Sequence, residues 1–143
     1  RGMLDSGGGL NHYTAHVVAA YMQKDLLDEH IERLRSTYRM RRDRLLASLS
    51  RYLPDGCLWQ CPSGGFFVWL RLPEGVDSTR LLPDAEAAGV SYLPGDQFFV
   101  DGGGGRHARL AFCRLETVEL EAAVERLGSV VERALRGRSV IVG

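Results

Sequence analysis

A single lysine, Lys24, stands in the whole sequence, and there are only three cysteines, Cys57, Cys61 and Cys113. The cysteines match no metal-ligand or redox spacing, and their odd number argues against a disulfide framework, so a reducing cytoplasmic setting is expected. No apolar run approaches the ~20 residues a membrane-spanning helix needs, and no secretory leader pattern is present; no membrane partner is expected. Net charge is zero, which removes any global field that would draw the chain to nucleic acid or to a membrane surface. His12 and His16 sit four apart as metal ligands on a helix would, but no nearby carboxylate or cysteine completes a set, and no metal site is expected.

What the chain does have is an ordinary globular composition, with hydrophobic residues at 45% and charged residues at 25%, enough for one domain with a sizeable core. The sequence is organised around Cys61–Leu72, which reads Cys-Pro-Ser-Gly-Gly-Phe-Phe-Val-Trp-Leu-Arg-Leu. One face of a strand here would carry Phe66, Val68, Leu70 and Leu72, the other Phe67 and Trp69. Apolar residues on both faces predict a central strand covered by helices above and below, with Trp69 in the core. Phe98 is expected in the core as well. Gly64 and Gly65 suit a tight approach into that strand.

Around it the pattern is helix, helix, strand, strand, helix, strand, strand, helix, which predicts an α/β layered domain with a small sheet. A first helix starts near Tyr13, capped by Asn11 or Thr14. The Gly-rich run before it lacks the strand and lysine of a phosphate-binding loop, which favours an arm. A second helix runs from about Leu26 to Leu53 on a stripe of Leu27, Ile31, Leu34, Tyr38, Leu45, Leu49 and Leu53, about 40 Å at 1.5 Å per residue. A helix of that length is expected to bridge two bodies. Its arginines lie among Asp28, Glu29, Glu32 and Asp43 with no aromatic platform, favouring a solvated, ion-paired face over nucleic-acid binding. Short strands are expected at Cys57–Gln60, Val90–Leu93 and Arg109–Cys113. A helix capped by Asp77 should end at Gly89, kinked or shortened by Pro83. The last helix opens at Glu116 and Thr117, and Arg136–Gly143 reads as a tail. The Asp101–Arg106 loop fits a lid or a simple disordered loop equally well.

Four of these stretches carry a resemblance. Asp28-Glu29-His30-Ile31 through Arg41-Arg42-Asp43 resembles the interdomain helix of class I/II aminotransferases of pyridoxal-phosphate fold type I. Pro62-Ser63-Gly64-Gly65-Phe66-Phe67-Val68-Trp69-Leu70 is similar to the Pro-x-Gly-Gly-x-Phe-x-Trp strand of the α-aminoadipate, kynurenine and aromatic branch. Gly89-Val90 with Pro94-Gly95-x-x-Phe98 matches its next signature, and Arg109-Leu110-Ala111-Phe112 the strand bearing its substrate-carboxylate arginine. The resemblance covers about Asp5 to Leu135 and implies an α/β fold whose small-domain sheet is covered by helices and joined to a long interdomain helix. It implies residues 1–25 as an interface arm and helix, 26–135 as the small domain with the bridging helix, and 136–143 as a tail.

The same resemblance implies transfer of an amino group between an α-amino acid and an α-keto acid, with pyridoxal 5'-phosphate as cofactor. Homodimerisation and contact with a large domain are implied as partners. It assigns the substrate carboxylate to Arg109, whose guanidinium fork binds a carboxylate in two parallel bonds. Asn11, His12 and Tyr13 match a segment that approaches the neighbouring subunit's site. The family's Schiff-base lysine lies in a Ser-x-x-Lys-type segment that this chain lacks, Lys24 being in another context, so no catalytic residue is assigned here and the chain alone is expected to be inactive. A first residue other than methionine fits a piece of something longer. The alternatives are the aminotransferase-like effector domain of a winged-helix regulator of the GntR type, and a non-catalytic fragment.

Overall fold

The computed structural model describes residues 11–139; the glycine run before Asn11 lies outside them. The chain forms two compact units, one through Thr37 and one from Tyr38. The elements are α1 (His12–Gln23), α2 (Leu26–Tyr52), β1 (Leu58–Trp59), β2 (Phe67–Arg71), α3 (Ser78–Ala87), β3 (Leu93–Pro94), a 3-10 turn (Gly95–Phe98), β4 (His107–Ala111) and α4 (Thr117–Ser139).

In the first unit α1 is capped by Asn11, whose side-chain oxygen accepts from the Thr14 amide at 3.1 Å. No residue of α1 is buried. Tyr21 meets His30 edge-on, ring centroids 6.2 Å apart. Arg35 pairs with Glu32 one turn away, as a solvated helix face would have it.

The second unit holds a sheet in the order β1-β2-β4-β3, antiparallel throughout. Val68 and Leu70 of β2 and Ala108 and Leu110 of β4 point to the same side, where they meet Leu45 and Leu49 of α2, Leu81 and Ala85 of α3, and Leu120, Val124, Leu127 and Val131 of α4. Arg41 fastens α2 to the start of α4 by donating to the Cys113 carbonyl and to Glu116, and Arg42 donates to the Pro62 carbonyl. Midway along α4, Gly128 lets that helix lie against the end of α2: a Cβ there would stand 2.2 Å from the Tyr52 carbonyl oxygen.

Several expectations need correction. Helices of the second unit cover only one side of β2; on the other side Phe67 and Trp69 are 37% and 41% exposed. An apolar residue on each face of a strand is necessary for double cover but does not compel it. Pro83 lies inside α3 without shortening it, since the helix runs to Ala87, within a residue of its expected end. The carbonyl that a proline ring deprives of its partner lies one turn back, at Thr79, an exposed residue. Val90–Leu93 pairs only at Leu93–Pro94, and the last sheet strand is His107–Ala111, two residues before its expected span. The expected tail begins inside α4, which runs to Ser139. Asp77 caps α3 through the Thr79 and Arg80 amides, and Gly89 follows it at φ 78°, both as read from the sequence.

Candidate functional site

Residues opposite each other in antiparallel strands point to the same face. The register pairs Phe67 with Ala111, Trp69 with Arg109 and Arg71 with His107, and sets Leu93 against Arg109 on the far side. The open face of the sheet is therefore aromatic and cationic. Trp69 meets Phe98 edge-on at 5.4 Å and Phe99 at 6.3 Å, and the His107 ring stacks on Phe99 at 5.3 Å. Beside them opens a cleft of about 600 Å³ lined by Gln60, Cys61, Phe67, Trp69, Arg71 and His107 among others.

Arg109 stands at the centre of this face. Its guanidinium carbon lies 4.0 Å from the ring centroid of Phe67 and 4.5 Å from that of Phe98. Phe67 belongs to β2 and Phe98 to the turn after β3, the strands on either side of β4, so one ring comes from each side. The Arg109 Nε is sealed from water without a hydrogen-bond partner. Among the described residues no carboxylate lies within ion-pairing distance of it. Ring faces attract a cation but leave its N–H groups without acceptors. A half-buried guanidinium in that condition gains most from a planar anion arriving in its own plane.

Phe98 ends the turn that begins at Gly95, where the chain comes against Gly104 of the following loop. A Cβ on Gly104 would stand 2.3 Å from the Gly95 carbonyl carbon, and one on Gly95 would stand 2.5 Å from the His107 Cβ. The two backbones touch where no side chain fits. The His107 amide donates to the Gly104 carbonyl at 2.8 Å, the Ser78 amide to Gly105 at 2.7 Å, and Thr79 Oγ1 to Asp96 Oδ2 at 2.8 Å. The Asp101–Arg106 loop is thus fastened at its C-terminal end.

The other singled-out residues sit elsewhere. Asn11, His12 and Tyr13 begin α1 in the first unit, with Tyr13 80% exposed. Lys24 is exposed at the C-terminal end of α1. His12 and His16 are both exposed, and among the described residues no group of three His, Cys, Asp or Glu could hold a metal ion. Gly64 and Gly65 lead into β2 with open space around them, and Gly65 has φ 83°, a conformation rather than a contact that asks for glycine. Trp69 and Phe98, expected in the core, line the open face instead. Sequence reading did not foresee that Phe67 and Phe98 flank Arg109. The available signal was Phe98 itself, fixed in spacing after Pro94-Gly95.

No family model matches the chain. It is 33% identical over 126 residues to aromatic-amino-acid aminotransferase 1 of Thermococcus litoralis, covering 88% of this chain and 30% of that protein. It is 35% identical over 119 residues to the 2-aminoadipate transaminase of Thermus thermophilus, covering 83% of this chain and 29% of that protein. Among solved structures, the multiple substrate aminotransferase from Thermococcus profundus superposes with a TM-score of 0.77 at 36% identity, over 81% of this chain and 29% of that one. The chain therefore spans about 30% of the length of the curated relatives it matches, and corresponds to their C-terminal part. Helix-turn-helix transcriptional regulators match as well, more weakly.

Proposed function

The chain belongs to the aminotransferases of pyridoxal-phosphate fold type I, as their C-terminal part, and on that premise we propose that it is the substrate-carboxylate arm of an enzyme moving an amino group between an α-amino acid and an α-keto acid. The observation that carries this is Arg109: a half-buried guanidinium held between two rings with no acidic partner among the described residues. A structural arginine at a strand is normally satisfied by an acid or by carbonyls. This one is held ready for an anion, and both substrates of an amino transfer carry the same planar α-carboxylate.

Pyridoxal phosphate, when bound, supplies the electron sink for that reaction. The residues described here do not fit the cofactor itself. Lys24 is exposed on the other unit, and the open face offers cationic and aromatic groups suited to a carboxylate and an apolar body. The imine-forming lysine belongs, in this reading, to a large domain outside the chain. The isolated chain then turns over nothing, the complete enzyme is a cytoplasmic homodimer, and Asn11, His12 and Tyr13 reach towards the neighbouring subunit's site. A second reading, an effector-binding domain of a regulator, is favoured only by the weaker regulator matches; it uses Arg109 to hold the same ligand without turnover.

The test is kinetic, on the full-length polypeptide that carries this chain. Arg109→Lys is expected to be nearly as damaging as Arg109→Ala, each lowering kcat/KM for every amino-acid substrate by about 100-fold, because a point charge does not reproduce the fork and misplacement of the reacting bond adds to the loss. Melting temperature and cofactor absorbance are expected to stay as in the parent. Unchanged kcat/KM in Arg109→Lys would end the assignment.

A further inference from the structure

We propose that Phe67 and Phe98 make the Arg109 site a reader of anion shape, admitting flat carboxylates and rejecting tetrahedral oxyanions, with Phe98 as the positioning residue that the Gly95–Gly104 contact delivers. The inference rests on the reading of Arg109 as a carboxylate grip and adds what selects the ligand.

The geometry is specific. Rings approach the guanidinium carbon at 4.0 Å and 4.5 Å from strands on either side, distances that leave no layer of water between ring and cation. Its Nε is sealed, so the terminal nitrogens are what the site offers. A carboxylate is planar, binds two of these N–H groups edge-on, and keeps both oxygens in the guanidinium plane. A phosphonate or sulfonate that sets two oxygens in that plane carries its other two substituents above and below it, on the sides where the rings stand, and this puts it at a disadvantage against a carboxylate. Phe67 is fixed within the longest pairing of the sheet, between β2 and β4. Phe98 is not in a strand. It sits at the end of a four-residue turn whose start touches Gly104 backbone to backbone, with Asp96 tied to Thr79. Gly95 opens the turn that Phe98 closes, so the Gly95–Gly104 contact bears on Arg109 through the placement of that turn. This assigns the glycine-rich loop a role that neither a lid nor a disordered loop requires.

The experiment measures binding rather than turnover, by titration calorimetry on the full-length polypeptide. The probes are pyruvate and methyl acetylphosphonate, which carry the same single charge and differ in whether the anionic group is flat or tetrahedral. The parent is expected to prefer pyruvate. Phe98→Leu is expected to lower that preference by about 3- to 5-fold, the scale of one lost cation–ring contact, while Phe98→Trp retains it. Because Phe98 is 41% exposed, both variants are expected to fold, with unchanged melting temperature as the control. If Arg109→Ala abolishes pyruvate binding but Phe98→Leu leaves the preference at its parental value, the shape-reading role is wrong and the carboxylate grip stands. If Arg109→Ala leaves pyruvate binding intact, both readings fall.

Discussion

The two faces of one sheet divide the labour of this chain. Along β2 the residues alternate, Val68 and Leu70 to one side and Phe67, Trp69 and Arg71 to the other. The first side is aliphatic, nearly water-free and packed on three helices; the second is aromatic and cationic and meets no helix in the second unit. Both sets are apolar enough to build a core, yet only one does. Aliphatic side chains interdigitate without directional demands, whereas rings and a guanidinium gain from edge and face contacts that survive partial exposure. One face fixes the fold, and the other keeps a charged group orderly while leaving it reachable.

The sharpest way to break this division is to compare neighbours on β2. Leu70→Ala empties a fully buried position and is expected to cost about 2–5 kcal/mol in denaturant unfolding. Trp69→Ala removes a far larger side chain from the open face and is expected to cost only about 1 kcal/mol, since what it loses is ring contact and not closed packing. Equal losses would mean that the open face carries stability too. Next in size is α4. Gly128→Ala drives a methyl into the Tyr52 carbonyl and is expected to lower stability by about 1–3 kcal/mol. Gly137→Ala, on the same helix with nothing within 4 Å, is expected to raise it by about 0.5–1 kcal/mol. An effect confined to alkaline solution is expected at Cys57, on the closed side. Burial pushes its thiol from 9.0 up to about 11, so the folded state favours the neutral form. That contribution is complete below pH 9 and is lost as pH rises towards 11. Melting temperature should fall through that window, and less steeply in Cys57→Ala. Tyr92, raised by burial beside Asp77 and Glu86, and Tyr52, raised by desolvation and its hydrogen bond to Glu121, add to the slope.

Helices were legible because their signals are local. Asn11 and Asp77 cap, Gly89 terminates, and the stripe through Leu45 and Leu49 repeats at helical spacing. The carboxylate role proposed for Arg109 comes only from the resemblance of its strand to a family. What the sequence hid was non-local. Nothing in Phe66–Leu72 says which of two apolar faces is covered, because the alternation is the same whichever face helices choose. Val90 and Tyr92 are buried, as a strand reading wants, but their backbone does not pair with β4 until Leu93. The Gly95–Gly104 contact joins residues from two different turns, and a glycine-rich string looks the same whether it is loose or clasped.

The order of the sheet has one more consequence, for solubility. A chain that presents Phe67, Trp69, Phe98 and Phe99 to its surroundings is at risk of sticking to its copies, and in sheet proteins the dangerous route is strand addition at an unpaired edge. Here the two five-residue strands lie inside, and each outer strand is two residues long, β3 ending in Pro94, which has no N–H to offer. A further strand would find almost no ladder to extend. The short outer strands therefore disfavour edge-to-edge strand addition even though the face between them is rich in rings.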